Sequence, residues 1–154
     1  MLSQEERQTI EEELSHYEVP HAVIIDALKA IQRHRGWVSD DALADLSEFL
    51  GVTVHELDSI ATFYSQIYRR PVGRHVIRVC DSASCFVMGY ESIRDRVFAE
   101  LGIEFGETTP DGRFTLLPNP CLGACDHAPV LLVDQDLHED VRPEAVRDLL
   151  ADYQ

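Results

Sequence analysis

The sequence predicts an α+β protein in which a helical bundle is followed by a smaller module built on a mixed sheet. Three observations carry that prediction. Apolar residues recur at helical spacing between capping signals as far as about residue 62. From His75 onward, short β-branched runs alternate with helical segments. All four cysteines fall in this second region, in two close pairs. A chain of 154 residues, 45% hydrophobic, can build one ordinary domain or two small ones. The change of pattern places a boundary near residue 70, with a bundle and connector over 1–70 and a second domain over 71–154.

Each element of the bundle has its own signal. Ser3 with Glu6 forms a capping box ahead of Ile10, Leu14 and Tyr17. Pro20 opens a second helix, whose Val23, Ile24, Ala27, Leu28 and Ile31 face inward until Gly36 breaks the pattern. Ser39 caps a third helix carrying Ala42, Leu43, Leu46, Phe49 and Leu50 before Gly51. Thr53 with Glu56 is a second capping box, opening a short helix towards Ala61.

In the second region the run His75 to Cys80 (HVIRVC) predicts a strand, and Tyr90, Ile93, Val97 and Leu101 predict a helix ending at Gly102. Asp111-Gly112 is a turn leading into a strand over 113–117, and 130–133 gives another. Pro143 opens a last helix through Val146, Leu149 and Leu150. The expected order is β-α-β-β-α, a small sheet with helices packed on it.

Charge narrows the functional classes. With 13 Lys+Arg against 28 Asp+Glu the formal net charge is −15, which excludes nonspecific binding to nucleic acid and to anionic membranes. No apolar run approaches a membrane span, and the start MLSQEERQTIEEE lacks the features of a secretory signal, so the expected location is the cytoplasm. Reducing conditions there favour metal ligation or redox chemistry over structural disulfides.

The pairs are Cys80-x₄-Cys85 and Cys121-x₃-Cys125. Each is presented at an element end: Cys80 closes a strand, Cys85 opens a loop into a helix whose N–H groups would favour thiolate, and Cys121 and Cys125 precede a strand. Gly123 can take φ > 0, turning both flanking sulfurs the same way. Neither pair is the C-x-x-C of a dithiol redox site. A zinc site needs one metal within reach of four sulfurs, and a 2Fe-2S cluster with two ligands per iron suits the looser pairs. Inert buried thiols are a third reading.

The stretches 74-RHVIRVCDSASC-85, 112-GRFTLLPNPCLGACDHAPVLLVD-134, 36-GWVSDDAL-43 and 61-ATFYSQ-66 together resemble the thioredoxin-like 2Fe-2S subunits, the E subunits, of bacterial respiratory NADH:quinone oxidoreductase. The resemblance covers nearly the whole chain. It implies a helical bundle followed by a thioredoxin-like domain, with Cys80, Cys85, Cys121 and Cys125 in the four ligand positions of one 2Fe-2S cluster. It also implies a flavoprotein partner holding NADH and FMN, with which the cluster exchanges one electron at a time. It further implies other subunits of a hydrophilic arm as partners and a location peripheral to the inner membrane. On this reading the chain is an electron carrier, expected to have no catalytic acid, base or nucleophile of its own. Alternatives are the same module in an NAD-linked hydrogenase or formate dehydrogenase, or a zinc-stabilised interaction module. One departure from the family is Pro120, before the third ligand position, which has no N–H to donate towards sulfur.

Other candidates have plainer readings. His127 reads as a polar loop residue rather than a Rieske-type ligand, since four cysteines already complete a cluster. Trp37, Phe63 and Tyr64 read as core or inter-element packing, and Asp81, Asp126, Asp134 and Asp136 as solvated loop charges. Residues 59–80 hold Arg69, Arg70, Arg74, His75 and Arg78 and no acid, which reads as a solvated connector or as a docking surface, with Arg69 and Arg70 as its chief contacts.

Overall fold

The structure is a computed structural model that describes residues 1–153, so Gln154, the last residue of the expected second domain, lies outside the described residues. The chain divides into two compact units, Met1–Pro71 and the chain from Val72 onward. Among the described residues no helix is long and apolar enough to cross a membrane.

Four helices make the first unit: α1 (Gln4–Leu14), α2 (Ile24–Arg35), α3 (Asp40–Leu50) and α4 (Val54–Phe63). The capping residues act as their types dictate. Ser3 Oγ accepts from the Glu6 N–H at 3.1 Å while Glu6 Oε2 accepts from the Ser3 N–H at 2.8 Å. Ser39 and Thr53 each accept from the backbone three residues on. Gly36 and Gly51 end α2 and α3 at φ 80° and 70°. A 3₁₀ turn, Pro20–Val23, precedes α2. The apolar stripes converge on one core of Ile10, Ile24, Leu28, Ile31, Leu43, Leu46 and Leu57, each worth about 1.5–3 kcal/mol on full burial.

Several expectations for this unit are corrected. Tyr17 lies beyond the end of α1, exposed, its hydroxyl donating to Asp26 at 2.8 Å. Phe63 is 79% exposed and Tyr64 42%, stacked edge to face on each other at 5.1 Å rather than packed in a core. Arg69 is an internal clamp, not a docking contact. Its Nη2 lies 2.6 Å from Asp40 Oδ1 and its Nε 3.0 Å from Asp58 Oδ1, and its Nη1 donates to the Val38 carbonyl. It thereby joins the start of α3 and the middle of α4 to the chain leaving the bundle.

The second unit holds a four-stranded sheet ordered β2-β1-β3-β4, from β1 (His75–Cys80), β2 (Phe114–Asn119), β3 (Leu131–Val133) and β4 (Asp136–His138). β1 runs parallel to β2 and antiparallel to β3, and β3 pairs antiparallel with β4, so the sheet is mixed. Helices α5 (Ala83–Val87), α6 (Tyr90–Leu101) and α7 (Val146–Ala151) complete the α+β unit. Its core gathers Ile77, Val79, Ile93, Val97, Leu116, Leu131 and Val146. β1 is buried from Val76 to Cys80, as expected of an inner strand covered on both faces.

Here too the boundaries differ. β2 extends through Pro118, which is tolerated because β2 is an edge strand. β3 starts one residue later than expected, and nothing in the sequence announces β4, because DLH is short and polar. A two-residue turn at Asp134-Gln135 joins them, with Asp134 at φ 54°. Asp134 is not a solvated loop charge: Oδ1 accepts from the Val76 N–H at 2.8 Å and Oδ2 sits 2.6 Å from His75 Nδ1. Arg78 is 4% exposed within β1, which removes it from any docking surface, whereas Arg70 and Arg74 are exposed.

Candidate metal centre

Sheet order brings the two cysteine pairs together. Cys80 ends β1 opposite Asn119, the last residue of β2, and its N–H donates to the Val130 carbonyl at 3.3 Å just ahead of β3. The loop that leaves β2 at Asn119 and enters β3 after Val130 carries Cys121 and Cys125. It therefore begins and ends beside Cys80. Cys85 lies inside α5 rather than in a loop before a helix, a correction caused by a five-residue helix with no apolar period to announce it. Cys80 and Cys85 are buried, Cys121 and Cys125 are exposed, and all four are free thiols.

Cys121 Sγ and Cys125 Sγ are 3.7 Å apart. That is far beyond the roughly 2.05 Å of a disulfide. It matches the edge of a tetrahedron of thiolates around one metal, about 3.7–3.8 Å for metal–sulfur bonds of about 2.3 Å. Gly123 makes the geometry possible: at φ 85° it turns the chain back, and its N–H points at Cys121 Sγ from 3.4 Å. Among the described residues no group of three or more His, Cys, Asp or Glu side chains is gathered closely enough to hold a single metal ion.

Electrostatics ties the four sulfurs into one group. Burial pushes the Cys85 thiol up to about 11; the Val130 backbone N–H opposes this, while Cys80 and Cys125 reinforce it. Burial thus works against the thiolate that helix N–H groups were expected to favour at Cys85. Cys125 is also raised, first by its hydrogen bond with Cys121, and the Ser84 hydroxyl opposes the rise. Cys85 therefore senses Cys80 and Cys125, and Cys125 senses Cys121 and Cys80.

Around the sulfurs lie groups the motif did not single out. The Asn119 Nδ2 donates to the Cys121 carbonyl at 2.8 Å, and Ser84 reaches Cys125. Asn ahead of Pro-Cys is a turn former in any sequence, and that was the available signal. His127 is a polar residue of a short 3₁₀ turn, its Nδ1 3.1 Å from Asp140 Oδ2 and its Nε2 3.6 Å from Asp126 Oδ2. The hydrogen bond with Asp140, then the charges of Glu139 and Asp126, raise its pKa.

Comparison with known proteins gives a consistent answer. The family model described as "Thioredoxin-like [2Fe-2S] ferredoxin" matches residues 10–154. The chain is 54% identical to the E subunit of NADH-quinone oxidoreductase from Pseudomonas aeruginosa, over 99% of this chain and 92% of that protein. It is 50% identical to the E subunit of the same enzyme from Escherichia coli K12, again over 99% and 92%. Among solved structures, the H2-reduced NAD+-reducing [NiFe]-hydrogenase matches at TM-score 0.68 and 26% identity over 81% of this chain. This chain spans about a fifth, 21%, of that longer one.

Proposed function

The chain belongs to the thioredoxin-like [2Fe-2S] ferredoxin family, together with the E subunits of NADH-quinone oxidoreductase, and on that premise we propose that Cys80, Cys85, Cys121 and Cys125 hold its single 2Fe-2S cluster. The observation that carries the assignment is the 3.7 Å separation of Cys121 Sγ and Cys125 Sγ, set by the Gly123 turn and adjoining the buried Cys80 and Cys85. Four thiolates are the donor set of such a cluster. When bound, the cluster supplies one-electron chemistry, and the chain binds, orients and tunes it.

The division of labour follows from burial. Cys80 and Cys85, on β1 and α5, form the rigid inner wall, and Cys121 and Cys125 form the outer edge on a loop held at both ends by the sheet. The exposed edge faces the route by which an electron enters or leaves. The Gly123 N–H, the Val130 N–H and the Ser84 hydroxyl direct positive charge at sulfur, stabilising the more negative reduced state. The net charge of −15 acts in the opposite sense.

In this reading the domain over 71–154 is the cluster domain and 1–70 a helical bundle and connector. The chain is the electron-transfer subunit of NADH:quinone oxidoreductase. Its partner is a flavoprotein that binds NADH and FMN, beside other subunits of the hydrophilic arm, and its place is on the cytoplasmic side, peripheral to the inner membrane. Identity of 54% over 92% of a relative's length supports the respiratory assembly over the hydrogenase one, where likeness is 26% and spans 21% of the longer chain.

Anaerobic purification with iron, zinc and acid-labile sulfide assays tests the assignment. The expected product is red-brown, with two irons and two sulfides per chain and an EPR signal on reduction. A colourless protein carrying one zinc, made with iron supplied, overturns it.

A further inference from the structure

We propose that Asn119 is a positioning residue for Cys121, holding the loop so that the Gly123 N–H stays directed at the Cys121 sulfur. The inference rests on the cluster assignment above and adds a residue outside the cysteine motif.

Asn119 is 4% exposed at the end of β2, in register with Cys80. Its backbone carbonyl accepts from the Asp81 N–H at 3.1 Å, and its side-chain Nδ2 donates to the Cys121 carbonyl at 2.8 Å. One residue thus fixes the chain immediately after Cys80 and the chain at Cys121. The nitrogen must face Cys121, because a carbonyl there can only accept. Oδ1 is buried without a hydrogen-bond partner among the described residues, a cost that a leucine of similar volume would avoid. What the carboxamide supplies is therefore the one bond to Cys121.

That bond has no backbone substitute. Pro120, between the two residues, has no N–H, so the side chain of Asn119 closes the turn across it. Fixing the Cys121 carbonyl fixes the orientation of the peptide that follows, two residues ahead of the Gly123 N–H. The contact from Gly123 to Cys121 Sγ is 3.4 Å, long enough that a small rotation of that peptide breaks it. Hydrogen bonds to sulfur help set a cluster's potential, so the clamp acts on the cluster through the loop.

The test uses N119L, which keeps volume and removes the donor, and N119D, which keeps shape and sets an acceptor against the Cys121 carbonyl. Wild-type iron and sulfide content is measured first and tests the cluster assignment on its own. In the cluster-loaded protein both variants are expected to bind iron as wild type does, with the reduction potential shifted downward and the EPR g-values altered. In the cluster-free protein, amide exchange at Gly123 is expected to rise about fivefold, the equivalent of one neutral hydrogen bond. That measurement decides the proposal even if the cluster assignment fails. Unchanged Gly123 exchange in either folded variant, or an unchanged potential and EPR spectrum beside a lowered melting temperature, overturns it and leaves Asn119 a purely structural residue.

Discussion

Glu6 and Arg35 form a pair whose contribution can be worked from the structure. Glu6 is 2% exposed at the third position of α1, and its carboxylate takes Arg35 Nε at 2.5 Å and Nη2 at 2.8 Å, besides the Ser3 N–H. The two-point hydrogen bond from Arg35 is the main cause, and burial the main opposing one, of a pKa held at about 2 against an ordinary 4.5. At about 1.36 kcal/mol per pKa unit, that difference is worth on the order of 3 kcal/mol. Because the folded-state value is depressed, the stabilisation is complete above pH 4.5 and is lost as pH falls towards 2. E6Q keeps the shape of the capping box and removes the charge, leaving Arg35 with Asp45 at 3.5 Å. The expected cost is about 2–3 kcal/mol at pH 7, shrinking by about 1.4 kcal/mol for each pH unit below 4.5. Native-state hydrogen exchange at α1 and α2 amides, which reads this unit apart from the sheet, measures it. Equal protection in the two proteins at pH 7, or a difference that does not change between about pH 5 and pH 3, refutes the reasoning.

Two further outcomes follow from named contacts. Replacing any one of Cys80, Cys85, Cys121 or Cys125 by Ala is expected to abolish the wild-type EPR signal and lower the melting temperature of the cluster-loaded protein, while His127→Ala keeps the signal; iron analysis beside EPR checks both. Charge reversal separates neighbouring arginines. R69E breaks the ties to Val38, Asp40 and Asp58 and should cost about 2 kcal/mol of bundle stability. R70E, on an exposed residue, should stay within about 0.5 kcal/mol of wild type. In the proposed complex, R70E should also reduce co-purification with the flavoprotein. Denaturant melts and a salt series of pull-downs distinguish the two variants.

Much of the fold was legible because local chemistry and tertiary packing agree. Ser3, Ser39 and Thr53 cap the helices they announce, and Gly36, Gly51 and Gly102 end the helices they follow. The misses arise where that agreement fails. α5 is too short for a period, and its Phe86 and Val87, with Met88 just beyond, are exposed at 57%, 81% and 61%, against the rule that apolar residues turn inward. β4 exists because β3 offers it an edge, which no property of DLH reveals. Arg69 looked like surface charge because its partners Asp40 and Asp58 lie 29 and 11 residues away. Asp134 looked like a loop charge because its role depends on the Val76 N–H from another strand.

The cysteine motif shows the same boundary between local and non-local information. Spacing within each pair is local: Gly123 supplies the turn that sets two sulfurs 3.7 Å apart, and it could be read from the sequence. Convergence of the two pairs is not local. It requires β1 to lie between β2 and β3, parallel to one and antiparallel to the other, so that the end of β1, the end of β2 and the approach to β3 meet at one edge. β1 ends beside the last residue of β2 and its Cys80 N–H donates to the Val130 carbonyl just ahead of β3, so both ends of the loop carrying Cys121 and Cys125 lie next to Cys80. The centre is therefore a property of strand order, and the residues that matter beside the cysteines are those that pin strand ends there. Asn119 is one, through Asp81 and Cys121; Val130 is another, accepting from the Cys80 N–H and donating to Cys85. In the proposed centre, thiolates held on such points would reorganise little when the cluster's charge changes, which is what a one-electron carrier requires of its protein.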